Sequence, residues 1–284
     1  MNIAQLFRKK PRIAEQPVEH SISIAPEKQV ASVPCKVCGS ATEPIGSVDA
    51  NKCCIDRFGP RSFPVSPIEV EYAACSNCGF IFTTYMDQWT DADFKTKIYN
   101  ADYEEINPPI IGRSDVPVHE TPAYATGLRI AGLFDGAQSQ IRILDFGAGG
   151  NPGATGQALI DSGFSVDSYD PYRADAPAIT GSYGLIIAIE VLEHCTDLAS
   201  VRLFMRKHLA ENGLVWVETL LHPFPTPPDA LDSWYIAPRD GHISIHTFPS
   251  ISLFFNSIGL NYASTIHGGF AFKKLPDYPN KIFL

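Results

Sequence analysis

Arg142-Ile-Leu-Asp-Phe-Gly-Ala-Gly-Gly-Asn-Pro-Gly-Ala-Thr-Gly156 is an apolar run that stops at an acid and opens into a glycine-rich loop. The pattern predicts a strand, a tight turn and a helix. Gly147 and Gly149 remove side chains where the backbone must turn sharply and let a ligand approach, and Thr155 to Ser162 continues as a short helix whose N-terminus faces that ligand. A second strand, Ser165-Val-Asp-Ser-Tyr169, ends at Asp170, where a carboxylate can accept hydrogen bonds from both hydroxyls of a ribose. Glycine-rich loops also serve as plain packing turns. A strand before, a helix after and an acid at the tip of the next strand together point to a nucleoside cofactor.

Downstream, only the 12 residues Pro171 to Ser182 separate Asp170 from Tyr183, too few for a full helix and strand, so a shortened crossover or a bare loop is expected. Gly184 to Ile189 reads as a buried strand that ends in Glu190-Val-Leu-Glu193-His194-Cys195. Thr196 or Asp197 can cap a helix with Leu198, Val201, Phe204, Met205 and Leu209 on one side, stopped by Glu211-Asn-Gly213. Leu214 to Thr219 is the next strand, Ser250 to Ile258 another helix, and Tyr262 to Ile266 with Phe270 to Lys274 a terminal antiparallel hairpin. Alternating strands and helices imply an α/β fold with a mostly parallel sheet. Upstream, the prolines at 108, 109, 117 and 122 predict an extended middle, followed by an amphipathic helix from Thr121 to Phe134. Tyr99 and Tyr103 lie over the cofactor in one reading and are ordinary core or surface aromatics in the other.

The N-terminal third carries a different signal: Cys35-Lys-Val-Cys38-Gly39 and Cys75-Ser-Asn-Cys78-Gly79. Each pair is followed by the glycine that a metal knuckle needs where the chain doubles back, and four thiolates make a closed tetrahedral zinc site. The intervening 36 residues exceed the usual separation of roughly 15–20, which a hairpin with a long loop accommodates. An iron–sulfur cluster or free thiols are the alternatives. Cys53 and Cys54 are read as one core and one exposed thiol, with replacement of a named ligand as the other option. Seven cysteines and no apolar signal core within the first ten residues favour metal over disulfides and a cytoplasmic location. No apolar run approaches the ~20 residues of a membrane span. A net charge of -9 disfavours nucleic acid as a partner.

Leu144-Asp-Phe-Gly-Ala-Gly149, Asp170 and Glu190-Val-Leu-Glu-His194, in this order, resemble the class I S-adenosylmethionine-dependent methyltransferases. The resemblance covers about 150 residues, from Ile130 to the end. It implies a Rossmann-like seven-stranded sheet with an antiparallel last hairpin, the methionine part of the cofactor at Asp145, Gly147 and Gly149, its ribose on Asp170, and Glu190 beside it. The third glycine of the motif is displaced to Gly153, and the short segment after Asp170 removes the usual source of adenine contacts. A narrower resemblance rests on the paired cysteines, Ile98-Tyr-Asn-Ala-Asp-Tyr103 and Trp234-Tyr-Ile-Ala-Pro-Arg-Asp-Gly-His242-Ile-Ser-Ile-His246, which are similar to bacterial methyltransferases with an N-terminal zinc domain. Some such enzymes methylate nucleotide-linked sugars. The implied division is a disordered segment 1–31, a zinc-ribbon-like domain 32–85, a linker and cofactor-covering segment 86–125, and a methyltransferase domain 126–284.

Methyl transfer from a sulfonium is an in-line displacement that must align nucleophile, methyl and sulfur and, for a hydroxyl, remove its proton. If residues 241–246 are extended, His242, Ser244 and His246 share a face, which makes the two imidazoles candidate bases or hydroxyl ligands. The bland alternative stacks one in the core and lets the other cap the helix at Ser250. Glu190, Glu193 and His194 at a strand end, with His242, also resemble the divalent-metal site of small-RNA 2'-O-methyltransferases; in the wider family the same Glu-Val-Leu-Glu-His run simply orders the strand end. The expected function is methyl transfer to a hydroxyl or carbon of a sugar, nucleotide-sugar or related small molecule. The alternatives are an RNA or protein methyltransferase that grips its substrate with the zinc domain, and a non-catalytic zinc-binding interaction protein with a degenerate second half.

Overall fold

The computed structural model describes residues 33–106, 116–173 and 178–274. The segment 1–31 read as disordered and the Pro108–Pro109 pair lie outside the described residues. In chain order the strands are β1 (Thr42–Asp49), β2 (Glu69–Cys75), β3 (Ile81–Phe82), β4 (Arg142–Phe146), β5 (Ser165–Tyr169), β6 (Tyr183–Ile189), β7 (Leu209–Glu218), β8 (Ser244–Ile245), β9 (Asn261–Ser264) and β10 (Gly269–Phe272). The α-helices are α1 (Asp91–Lys97), α2 (Ala101–Ile106), α3 (Pro122–Leu133), α4 (Ala154–Asp161), α5 (Leu198–His208) and α6 (Phe248–Asn256).

The large sheet has the order β5-β4-β6-β7-β10-β9, with β4, β5, β6 and β7 parallel and β10 antiparallel to both its neighbours. Among the described residues it has six strands, where the resemblance implied seven. The described residues of the 12-residue segment between Asp170 and Tyr183 add no strand before β6. Strand pleating divides the core into two layers. Ile186, Ala188, Val215, Val217 and Ala271 face one side with α5, α6 and the cysteine knuckle, while Leu185, Ile187, Leu214, Trp216 and Phe270 face α3 and α4.

Local chemistry sets the helix ends. Thr121 accepts the Tyr124 amide at 3.2 Å and Pro122 occupies the first turn of α3, where its missing N–H costs nothing. Asp197 caps α5 through the Ser200 amide at 3.0 Å, and Arg206, Lys207 and His208 occupy the last turn, where cations suit the helix dipole. Leu209 leaves that helix and begins β7, a correction to its expected place on the helical face. A reciprocal pair, Ser250 amide to Thr247 hydroxyl at 3.2 Å and Thr247 amide to Ser250 hydroxyl at 2.8 Å, starts α6 two residues earlier than expected. The helices α1 and α2 were absent from the sequence reading; Thr90 caps α1 with Asp93 in reciprocal bonds.

The knuckle does not stand apart. Its sheet, β1-β2-β3-β8, takes its last strand from the far end of the chain, with Ile81 paired to Ile245 and Phe82 to Ser244. Cys35, Val37, Cys75, Cys78, Phe80 and Phe82 belong to the same buried cluster as Ile186, Val215 and Phe254. Thr247 donates its hydroxyl to the Cys78 carbonyl at 2.5 Å. The cysteine knuckle and one wall of the large sheet are therefore a single packing unit.

Gly127 marks the tightest helix contact: a Cβ there would lie 2.5 Å from the Thr155 carbonyl oxygen and 2.6 Å from the Ala158 Cβ. Gly127→Ala is expected to force α3 off α4 and cost about 1–3 kcal/mol, read as a melting temperature lowered by several degrees in circular dichroism. An unchanged melting temperature would contradict this packing.

Candidate functional site

The carboxyl ends of β4, β5 and β6 open into a cavity of about 1140 Å³, where parallel sheets place their ligands. Its floor is the loop that leaves β4. Gly147 has a φ of 80°, and a Cβ would lie 2.4 Å from a Val191 methyl, so only glycine lets the turn approach the β6 end. The Gly147 amide is fixed to the Tyr169 carbonyl at 2.7 Å. Gly153 begins α4 as its cap, and a Cβ there would lie 2.1 Å from the Ala148 carbonyl oxygen. The displaced third glycine thus closes the loop on itself while still lining the cavity.

Asp145 is buried, and its Oδ2 has no hydrogen-bond partner. Burial pushes its carboxyl up to about 7 against a helpful Gly156 amide. Asp170 accepts from the Gly149 amide at 2.9 Å and the Tyr172 amide at 2.8 Å, which aims its carboxylate along the cavity wall. Tyr99 and Tyr103 line the same cavity, as does Tyr172, with Tyr99 5.1 Å from Tyr103 and 5.2 Å from Tyr172 between ring centres. Tyr99 lies between α1 and α2, Tyr103 in α2, and Tyr172 just after β5. The buried Arg239 anchors them by donating to the Ile98 carbonyl at 3.2 Å and the Asn100 side chain at 3.0 Å. Neither role was visible from spacing, because the two segments lie more than 130 positions apart.

Beyond the end of β6 the backbone turns left-handed at Glu190, φ 51°, and passes into a short 3-10 turn, Leu192–His194. Glu190 lines the large cavity and also a second one of about 400 Å³. Tyr235, absent from the sequence-based candidates, is the hub between the acids. Its hydroxyl donates to Glu193 Oε1 at 2.7 Å, lies 3.2 Å from Glu190 Oε2, and accepts the Leu220 amide at 3.3 Å. Thr219 donates to the other Glu193 oxygen at 2.9 Å. Burial, with the charge of Glu193 alongside, pushes Glu190 up to about 9.

The imidazoles separate. His194 lines the large cavity, has an unpartnered buried Nδ1, and is held down to about 4 by burial, so it stays neutral. His242 packs edge-on against it at 4.8 Å, directs Nδ1 at the Tyr235 carbonyl at 2.8 Å, and lines neither cavity. Glu193, His194 and His242 each offer a ligand atom within 4.8 Å of the others. His246 is elsewhere, packed in the core with its ring centre 4.9 Å from that of Phe80 and 5.9 Å from that of Phe254, with Nδ1 on Ser250 at 3.2 Å. Cys54 is half-buried rather than exposed and lies 3.6 Å from His242 Nδ1, while Cys53 is buried.

The four knuckle sulfurs cluster with separations of 3.7, 3.5 and 3.6 Å for Cys35–Cys78, Cys38–Cys75 and Cys38–Cys78. Tetrahedral thiolates on zinc at ~2.3 Å stand about 3.8 Å apart, so this donor set fits the ion with little movement.

Residues 119–265, slightly more than half of the chain, match the family model described as a methyltransferase domain. Among solved structures the chain is similar to a proposed O-methyltransferase of Nostoc punctiforme (19% identity, 53% of this chain and 56% of that one, TM-score 0.39). It is also similar to an O-methyltransferase family protein from Burkholderia thailandensis (13%, 54% and 57%, 0.41) and to the magnesium protoporphyrin IX methyltransferase of Synechocystis (15%, 61% and 94%, 0.41). The chain spans little more than half the length of the first two. No curated protein matches it. No helix among the described residues is long and apolar enough to cross a membrane.

Because Asp145 is pushed up to about 7 in the fold and sits near 3.8 otherwise, the unfolded chain releases this proton first as pH rises. Asp145 therefore costs stability progressively between about pH 4 and 7, up to about 4 kcal/mol above that window. In urea unfolding, Asp145→Asn is expected to gain more over the native protein at pH 8 than at pH 5. An equal difference at both would contradict the burial argument.

Proposed function

As the chain belongs to the methyltransferase-domain family and is thus an enzyme of methyl transfer, we propose that it moves a methyl group from S-adenosylmethionine to a hydroxyl of a small molecule. The single observation that carries this reading is Glu190, which lines both the cavity of the glycine loop and the smaller cavity beside it. The residues present fit the donor. Asp145 has an orphaned oxygen, Gly147 and Gly153 form a cradle that a Cβ would fill, and Asp170 stands on the wall with lone pairs to spare for a ribose diol. Tyr99, Tyr103 and Tyr172 supply the flat apolar surface that an adenine needs.

When bound, the donor supplies an electrophilic methyl on a sulfonium and leaves as a neutral thioether. The chain's own part is to align the acceptor oxygen, exclude water and take the hydroxyl proton. His194 is the candidate for that proton, since its ring borders the large cavity and burial keeps it neutral. His242 would position it by edge-on packing, and Tyr235 would fix the two carboxyls beside it. A sugar ring is an acceptor of suitable size and polarity for the smaller cavity. The knuckle's place in the main core supports a structural zinc and speaks against a separate grip for RNA or protein. The intact cavity removes the motive for a non-catalytic reading.

The juxtaposition of Glu193, His194 and His242 favours a second reading of the same chemistry, in which they hold a divalent ion that lowers the hydroxyl pKa directly. Metal analysis separates the two: one zinc per chain supports the base reading, and a second ion lost in His242→Ala supports the other.

Asp170→Ala is expected to weaken S-adenosylmethionine binding at least tenfold by calorimetry, as charged hydrogen bonds of about 1.5–3 kcal/mol are lost. His194→Ala should cut turnover by about 10²–10⁴ with donor affinity nearly intact, and by more than His242→Ala does. Equal losses of turnover and donor affinity would assign His194 a structural role, and absence of donor binding to the native chain would overturn the reading.

A further inference from the structure

We propose that Arg239, which lines neither cavity, is a positioning residue for the methyl donor and acts through Tyr99, a role that rests on the donor reading of the larger cavity.

Tyr99 stands in a segment that cannot hold its own shape. The helices on either side of it, α1 with seven residues and α2 with six, fall well short of the roughly 12–15 that an isolated helix needs. Tyr99 occupies the break between them. Its ring lines the larger cavity, with its centre 5.1 Å from that of Tyr103, 5.2 Å from Tyr172 and 6.3 Å from His194, so it joins the other tyrosines of the cover to the candidate base. A ring placed in this way presents its face to a bound base only while its backbone is fixed, and a shift of about 1 Å at such a position is costly.

Arg239 fixes the residues on both sides of it. Nη1 donates to the Ile98 carbonyl at 3.2 Å, Nη2 donates to the Asn100 side-chain oxygen at 3.0 Å, and the same Nη2 lies 3.5 Å from Asp102 in the first turn of α2. The guanidinium also stacks over the Phe63 ring, 4.9 Å from its centre, and the residue is buried. A planar fork reaches a carbonyl and an amide oxygen at once, which a single ammonium on a flexible stem does not. The base of the side chain is equally constrained. Arg239 lies in the 3-10 turn Pro238–Asp240, where its amide donates to the Lys52 carbonyl at 3.2 Å and the buried Asp240 accepts the Cys54 amide at 2.9 Å. The turn ends at Gly241, φ 85°, where a Cβ would lie 3.0 Å from His194 Nδ1 and 3.4 Å from an Ile98 methyl. One turn thus holds the donor cover through Arg239 and abuts the candidate base at Gly241.

A double-mutant cycle on the full chain, read by calorimetry with S-adenosylhomocysteine, tests this. Arg239→Ala and Arg239→Lys are each expected to weaken binding about tenfold or more, the scale of one lost charged hydrogen bond. In a Tyr99→Ala background, Arg239→Lys should weaken it by less than about twofold, because the ring it positions is gone. Circular dichroism shows whether each variant is folded, and Arg239→Lys carries the cycle where Arg239→Ala is not. Losses that simply multiply in the double variant assign Arg239 a general structural role and overturn the proposal. Undiminished affinity in a folded Arg239→Lys overturns it too. Failure of the native chain to bind S-adenosylhomocysteine instead strikes the donor reading beneath it.

Discussion

At Glu190 the backbone leaves β6 with a φ of 51°, a conformation that costs a non-glycine residue roughly 1–2 kcal/mol, and the Glu218 carbonyl holds its amide at 2.8 Å. That one bond, between the ends of two adjacent parallel strands, decides where everything beyond it goes. It sends the chain into the Leu192–His194 turn, sets His194 against the large cavity, and leaves Glu190 in the lining of both cavities. Val191, next in line, is the residue that forces Gly147 to be glycine. The glycine loop and the strand-end acids are therefore one fitted surface.

A second contribution holds the far wall. The Ile243 amide donates to the Glu193 carbonyl at 2.9 Å, the Thr83 amide to the Ile243 carbonyl at 3.1 Å, and β8 pairs with β3 of the knuckle. The cysteine site thereby braces the strand that follows His242. Its cysteines share the main core with the large sheet, so an ion held there would stabilise that sheet through ordinary packing.

β6 was legible because burial on both faces writes itself as a continuous apolar run, and Gly184 to Ile189 falls within it, while β5, a partly exposed edge strand, still begins and ends where Ser165 and Tyr169 predict. The expectation of a shortened crossover or a bare loop after Asp170 followed from simple residue count, although the seven-strand pattern of the resemblance obscured its consequence for the sheet. α1 and α2 escaped notice because each is a short helix stabilised by aromatic packing across the cavity rather than by its own periodicity. Among site residues, Asp145, Asp170 and Glu190 announce themselves by sitting at strand ends. Tyr235 and Arg239 do not, since their partners at Glu193 and Ile98 are 42 and 141 positions away. The face expected of His242 and His246 divides because the chain bends into β8 between them, leaving one imidazole against His194 and the other in the core.

The central claim is that donor sulfur and acceptor oxygen meet at Glu190. A crystal structure of the full chain with S-adenosylhomocysteine measures this most directly. The account predicts the ribose hydroxyls on Asp170, the adenine among Tyr99, Tyr103 and Tyr172, and the sulfur facing the Glu190 junction toward the smaller cavity. A product molecule whose sulfur points away from Glu190, or whose adenine avoids the tyrosines, would contradict it.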